Sequence, residues 1–307
     1  MTRSKVIKKT LNIVKSPYML LVPALLFYLM FWFFPVMMSI IQTFTGIEGG
    51  FTLANYKNMF QESLFNKALL NTLVFAFVSL GLQFILAVLL ALLLNKKFKG
   101  SKIFLFVMIV PMALPQAAVG ILWNTGMVEF GWINTILEVS GMQYLLETMG
   151  IIDDNVLWKN VDGMRAVMAI VVIDTWTVLP SIVIIILAGL QNFNEELKEA
   201  ALVFGSTRRR AVKDIVVPII KPSIVTALLL RLIAGLQMWL LAVMLFGYGR
   251  VPYLLERVVF YMNVASRTDA NYKMSVTYSV FTMFVIMFSA FVFVRLTRSK
   301  DWRKADE

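Results

Sequence analysis

Long apolar runs alternate with short polar segments along this 307-residue chain. Six runs are long enough to cross a bilayer, which takes about 20 helical residues. They cover 18–44, 68–94, 103–123, 166–190, 224–247 and 274–294. Four of them carry no charge; the fourth carries Asp174 and the fifth Arg231. Strands of a membrane barrel would alternate polar and apolar positions. These runs do not alternate, so helices are the spanning structure that satisfies the backbone in lipid. The pattern predicts an all-α membrane protein with six transmembrane helices. A basic start (Arg3, Lys5, Lys8, Lys9, Lys15) precedes the first run, as in a secretory signal. The run is far longer than a signal's apolar core of about 7–15 residues, and no small-x-small site closes it. It reads as a retained span.

The segments between the runs divide by charge. Twenty Lys and Arg fall in the start, the 95–102 turn, the 191–222 loop and the tail from 295. Eight fall in 45–67, 124–165 and 248–273, which hold ten of the 18 acids. The positive-inside rule then predicts that both termini are cytoplasmic. The expected organisation is a cytoplasmic segment 1–17, a transmembrane unit 18–297 and a cytoplasmic tail 298–307. The outer loop 124–165 is the longest and is acidic, with room for a short interfacial helix at 145–152.

Composition agrees with the pattern. The chain is 59% hydrophobic and 15% charged, with a mean hydropathy of +0.78. A soluble domain carries about 25% charged residues. The net charge of +11 is an orientation signal and a contact with anionic lipid, not a nucleic-acid surface. With no His and no Cys, imidazole relays, triads, thiolate chemistry and the usual transition-metal ligands are excluded. No Gly-x-x-x-x-Gly-Lys-Ser/Thr run occurs, so the chain has no such ATP-binding loop of its own.

The 191–222 loop is patterned like structure instead of linker. Asn194 is placed to cap a helix, with Glu195 and Glu196 in its first turn. Leu197, Ala200, Ala201 and Phe204 share one face. Gly205 is expected to end that helix in a left-handed cap. Ser206 is expected to cap a second helix carrying Arg208, Arg209, Arg210 and Lys213, broken by Pro218 and Pro222 before the fifth span. Two alanines permit close approach, and Glu199 beside them offers a charge-assisted contact, which suits docking to a protein. The alternative is an amphipathic helix lying on lipid.

The segment resembles the EAA loop of ABC importer permeases: Glu199-Ala200-Ala201, then Gly205, Ile215 and Val217-Pro218. Only Val217 departs, where the family has Leu. Asn55-Tyr56, Ala68-Leu69-Leu70-Asn71-Thr72 and Leu187-Ala188-Gly189-Leu190-Gln191 resemble the carbohydrate branch, of the maltose and glycerol-3-phosphate type. The branch's Asp three residues after the fifth-span Arg is Ala234 here. Its Gly-Gly-Pro turn survives only as 247–252. The resemblance implies a coupling helix between the fourth and fifth spans. Glu199, Ala200, Ala201, Gly205 and Arg208 would meet an ATPase. It further implies a dimer of ATP-binding subunits holding ATP and Mg, a second permease and an external solute-binding protein. The chain itself would bind no cofactor and catalyse nothing. Its expected place is the plasma membrane, as half of a path for a sugar or oligosaccharide.

Charged residues in a span are costly and therefore functional candidates. Counted from the expected span ends, Asp174 and Arg231 differ in depth by about 10 Å. Direct pairing would need a long reach or a helix offset. Arg231 is expected to snorkel to headgroups or to bond a carbonyl freed at a helix break. Asp174, Trp176, Thr177, Gln237 and Trp239 supply the carboxylate, aromatic, hydroxyl and amide groups that hold saccharides. Pro111, Pro115 and Pro180 are expected to kink spans three and four. Competing readings are an ABC permease for glycerol phosphate, polyamine or peptide, and an ion-coupled secondary transporter. The latter should show coupling carboxylates or inverted repeats.

Overall fold

The computed structural model describes residues 17–150, 158–191, 201, 203–207, 210 and 212–297. Among these the chain is helical, apart from one bridge between Thr45 and Phe51. Five helices are long and apolar enough to cross a membrane. They are α1 (Met19–Thr43), α3 (Phe65–Asn95), α8 (Met164–Gln191), α9 (Asp214–Leu236) and α12 (Asp269–Thr297). Two further helices, α4 (Ser101–Ala113) and α5 (Gln116–Gly126), meet at 96° and are together apolar enough for a sixth, bent span or a re-entrant loop. The remaining helices are short: α2 (Ala54–Gln61), α6 (Trp132–Val139), α7 (Met142–Thr148), α10 (Leu240–Phe246) and α11 (Leu254–Val259).

Three helices form the centre, with α8 lying along α3 and α9 against both. Small side chains set their spacing. Ala76, Ala87 and Ala91 of α3 are buried, and a Cβ on Gly235 of α9 would meet the Ala76 Cα at 3.4 Å. In lipid, where apolar side chains gain nothing from leaving water, such small residues bring helices close enough for dispersion to hold them. Two apolar clusters result. One, towards the basic end, joins Ala87, Ala91, Ile182, Ile186 and Ile220. The other joins Phe75, Val167, Ile170, Leu241 and Tyr253. Helix α12 packs on α9, α11 and α2, and α1 reaches α12 through its second half.

The breaks differ from the sequence expectation in instructive ways. Span three does not merely kink. The 3₁₀ turn Val110–Ala113 and extended Leu114 and Pro115 turn the chain by 96°. Proline disfavours the helical conformation at the residue before it, and here that residue is Leu114, which is extended. Span four runs as one helix through Pro180. Span five starts about ten residues before the expected position and stops at Leu236, with α10 resuming after Gln237, Met238 and Trp239. Pro218 and Pro222 do not break it. Pro218 follows a π-turn at Val212–Val216 and enters at the first helical turn, where a missing N–H costs little. In the 124–165 loop, α7 begins at Met142, before the expected position, and α6 precedes it. The rest of the expected 145–152 helix, from residue 151, lies outside the described residues.

Candidate functional site

A buried polar group sits between the two apolar clusters and ties the three central helices together. Arg231 of α9 donates from Nη2 to Asp174 Oδ2 of α8. Its Nε donates to Gln83 Oε1 of α3 at 2.5 Å, and Nη2 also lies 3.5 Å from the Ser79 hydroxyl. Gln83 completes the circuit, its Nε2 donating to Asp174 Oδ2 at 2.8 Å and to Thr175 Oγ1 at 3.2 Å. The guanidinium also stands 5.9 Å from the Phe75 ring centroid. Asp174 is 1% exposed and Arg231 is 6%. A charge so placed is tolerable only when paired and hydrogen-bonded, and here each end is.

This overturns the expected snorkelling of Arg231. The depth estimate failed because it took residue 224 as the start of span five. Asp174 lies seventeen residues before the end of α8 at Gln191, and Arg231 seventeen residues after the start of α9 at Asp214. At 1.5 Å per residue in antiparallel helices the two stand level. Gln83 and Ser79 went unnoticed in the sequence. Their signal was nonetheless available: Ser79 and Gln83 are polar positions four apart, on one face of an otherwise apolar run.

Gln83 is the bridge, accepting from the guanidinium and donating to the carboxylate. Gln83→Leu is expected to cost about 1.5–3 kcal/mol, the range for hydrogen bonds to charged groups. The check is the thermal midpoint in detergent, where Gln83→Glu would not rescue because it adds a second acid beside Asp174.

The other path candidates separate by exposure. Thr177 is buried and its hydroxyl donates back to the Ile173 carbonyl at 3.1 Å. Trp176 is exposed, and its ring meets Trp123 edge-to-face at 5.7 Å. Trp123 meets Trp132 in the same way at 5.2 Å. Gln237 is exposed and Trp239 half-buried, both in the break between α9 and α10. Asn124 of α5 donates to the Met244 carbonyl at 2.7 Å and to that of Leu245 at 3.1 Å, joining α5 to the end of α10.

At the basic end, Gly205 has φ +84°, and the Ser206 amide donates to the Ala201 carbonyl at 2.9 Å. That six-to-one bond past a left-handed residue is a Schellman turn. The following helix is capped by Thr207, whose hydroxyl accepts from the Arg210 amide at 3.4 Å, and not by Ser206. Val203 and Phe204 are almost fully exposed beside the turn. Glu199, Ala200 and Arg208 lie outside the described residues.

The acidic end is stapled by a second charged group. Arg257 of α11 pairs with Glu62 at 2.5 Å and lies 3.7 Å from Glu256, under the rings of Phe260 and Tyr261. Tyr278 donates to the other Glu62 oxygen. Burial works against the Arg257 charge, and the two carboxylates outweigh it, so its pKa is raised. Burial also pushes the Glu256 carboxyl above the usual range, with Arg257 pulling the other way. Among the described residues no cluster of three metal-ligating side chains occurs.

Residues 83–300 match the family of binding-protein-dependent transport system inner membrane components. The chain is 31% identical to the trehalose/maltose transport system permease protein MalF of Thermococcus litoralis, over 76% of this chain and 78% of that one. It is 27% identical to the sulfoquinovosyl glycerol transport system permease protein SmoG of Agrobacterium fabrum, over 80% and 76%. A chain of a bacterial ABC transporter that imports the acidic polysaccharide alginate has the same fold, with a TM-score of 0.76 at 21% identity, over 95% of this chain and 98% of that one. A frame of several membrane-length helices and a match across most of its length together make this chain a multi-pass, non-catalytic member of the binding-protein-dependent transport system inner membrane component family.

Proposed function

We propose that this chain forms half of the translocation path of an ATP-driven importer for a sugar or oligosaccharide delivered by an external binding protein. The observation that carries the reading is the Glu199-Ala200-Ala201…Gly205 segment on the basic end, between α8 and α9, with Gly205 in a Schellman turn. In this reading the basic end and both termini are cytoplasmic, and the 191–222 loop docks in an ATP-binding subunit. Glu199 is the polar anchor, Ala200 and Ala201 the close-contact surface, Gly205 the turn and Arg208 a flanking contact. ATP and Mg belong to the ATPase dimer. A second permease completes the path, and Trp176, Gln237 and Trp239 are the side chains offered to it.

The central geometry supports transmission of force from that loop. The loop joins α8 to α9, and the Asp174–Arg231 pair ties the same two helices together seventeen residues from the loop on each, with Gln83 fastening α3. A push on the loop therefore moves three helices as one body instead of bending one of them. The same pairing weakens the secondary-transporter reading, since Asp174, the one carboxylate away from the ends of the described spans, is committed to an arginine.

The test is pull-down from detergent-solubilised membranes, comparing wild type with Glu199→Arg. Wild type should retain an ATP-binding subunit and a second permease. The variant should lose the ATPase and keep the permease. Wild type that purifies alone and moves solute in vesicles without ATP would sink the reading.

A further inference from the structure

We infer that the solute handled by this half of the path is uncharged: a neutral saccharide, not a uronate, sulfonate or phosphate ester. The inference rests on the importer reading above and names its substrate class. An anion entering a low-dielectric path needs a cation that is free to meet it, which is why anion-selective pores line themselves with Arg or Lys. Away from the helix ends the spans contain one cation, Arg231; Lys67, Lys102, Arg165, Lys221, Lys273 and Arg295 lie towards the ends of their helices. Arg231 is buried, and its Nε and Nη2 are engaged by Gln83, Asp174 and Ser79. Asp174 cancels its charge at contact distance, so a solute beside this helix group meets no net positive field.

The exposed positions at the same level are of another kind. Around the pair, α8 presents Val172 and Trp176, and α9 presents Leu230 and Ala234 with Gln237 just beyond. None is charged. An indole face packs on the C–H face of a sugar ring, and an amide both donates and accepts, as hydroxyl groups require. Trp123, in contact with Trp176, carries a buried indole N–H that has no partner among the described residues. A buried donor is costly to leave unmade, and a solute hydroxyl would satisfy it without supplying charge.

The experiment uses the whole assembly reconstituted in lipid: this chain, its partner permease and the ATPase dimer, trapped with ATP and vanadate, with no binding protein present to select the solute. Two labelled pools of tri- to pentasaccharides are offered, one of neutral glucans and arabinans and one of uronates. Retention of the neutral pool at least about ten-fold above the acidic pool, a difference of about 1.4 kcal/mol, is the expected result. Equal or stronger retention of the acidic pool overturns the inference and leaves the importer reading standing. Retention of neither pool by an assembly that still contains the ATPase overturns both the inference and the saccharide reading. An assembly that never acquires the ATPase overturns the importer reading itself.

Discussion

Asp174→Leu is expected to be the most damaging single substitution in the membrane-embedded core, costing about 3–5 kcal/mol. It leaves the Arg231 guanidinium buried beside a leucine, with Gln83 and Ser79 as its remaining polar neighbours. Arg231→Met should cost less, although it breaks the same pair. The reason is an asymmetry in the two groups. An orphaned carboxylate can be neutralised by a proton, whereas a guanidinium cannot lose one in a protein. Gln83 also still donates to the surviving Asp174. The double variant Asp174→Leu/Arg231→Met should recover most of the loss, because an apolar pair of similar volume avoids desolvating either charge. Thermal or denaturant midpoints of the four proteins in one detergent form a double-mutant cycle. The account fails if both single variants stay within about 1 kcal/mol of wild type, or if the double variant is as unstable as the two losses added.

The architecture was legible because lipid makes demands that sequence must meet openly. A span must be apolar all round for about 20 residues, so runs such as 68–94 and 274–294 announce themselves without any periodic face. The turn at Gly205 was legible for a different reason. A left-handed turn needs a residue without a Cβ, and Gly205 stands at the end of a marked apolar face. What stayed hidden depends on exact helix ends and on partners far away in the chain. The start of α9 was misplaced because Pro218 and Pro222 read as breakers, while Pro218 sits in the turn that follows a π-turn and the helix continues through Pro222. That single error displaced Arg231 by two to three helical turns and concealed its pairing with Asp174. Gln83 was missed because it lies 91 residues from Asp174, and no local pattern links them. The right-angle break at Leu114 and Pro115 was foreseen as a kink only. Proline marks where a helix stops, and the packing of the next helix decides how far the chain turns.

That packing supplies the second large effect. Gly120 lies where α5 crosses α10, and any Cβ there would stand 2.3 Å from the Met244 Cβ and 3.1 Å from its Cγ. The obstructing atom is fixed to the backbone, so no rotamer relieves the clash and the helices themselves must part. Gly120→Ala is therefore expected to cost at least the ~1–3 kcal/mol typical of overpacking. The loss should be greater if parting also breaks the Asn124 bonds to Met244 and Leu245, one turn along. Gly81 provides the contrast. It too is helical, but a Cβ there meets nothing within 4 Å. Gly81→Ala should stabilise by about 0.5–1 kcal/mol, the ordinary gain of alanine over glycine inside a helix. The same one-carbon change is thus expected to act with opposite sign at two positions. The remedy for the first is specific, because Met244→Ala retains the offending Cβ and Met244→Gly removes it. Melting of Gly120→Ala alone and with each partner change reads this directly. Rescue by glycine and not by alanine supports a crossing set by Cβ contact, and equal rescue by both shows that side-chain bulk beyond Cβ holds the helices apart.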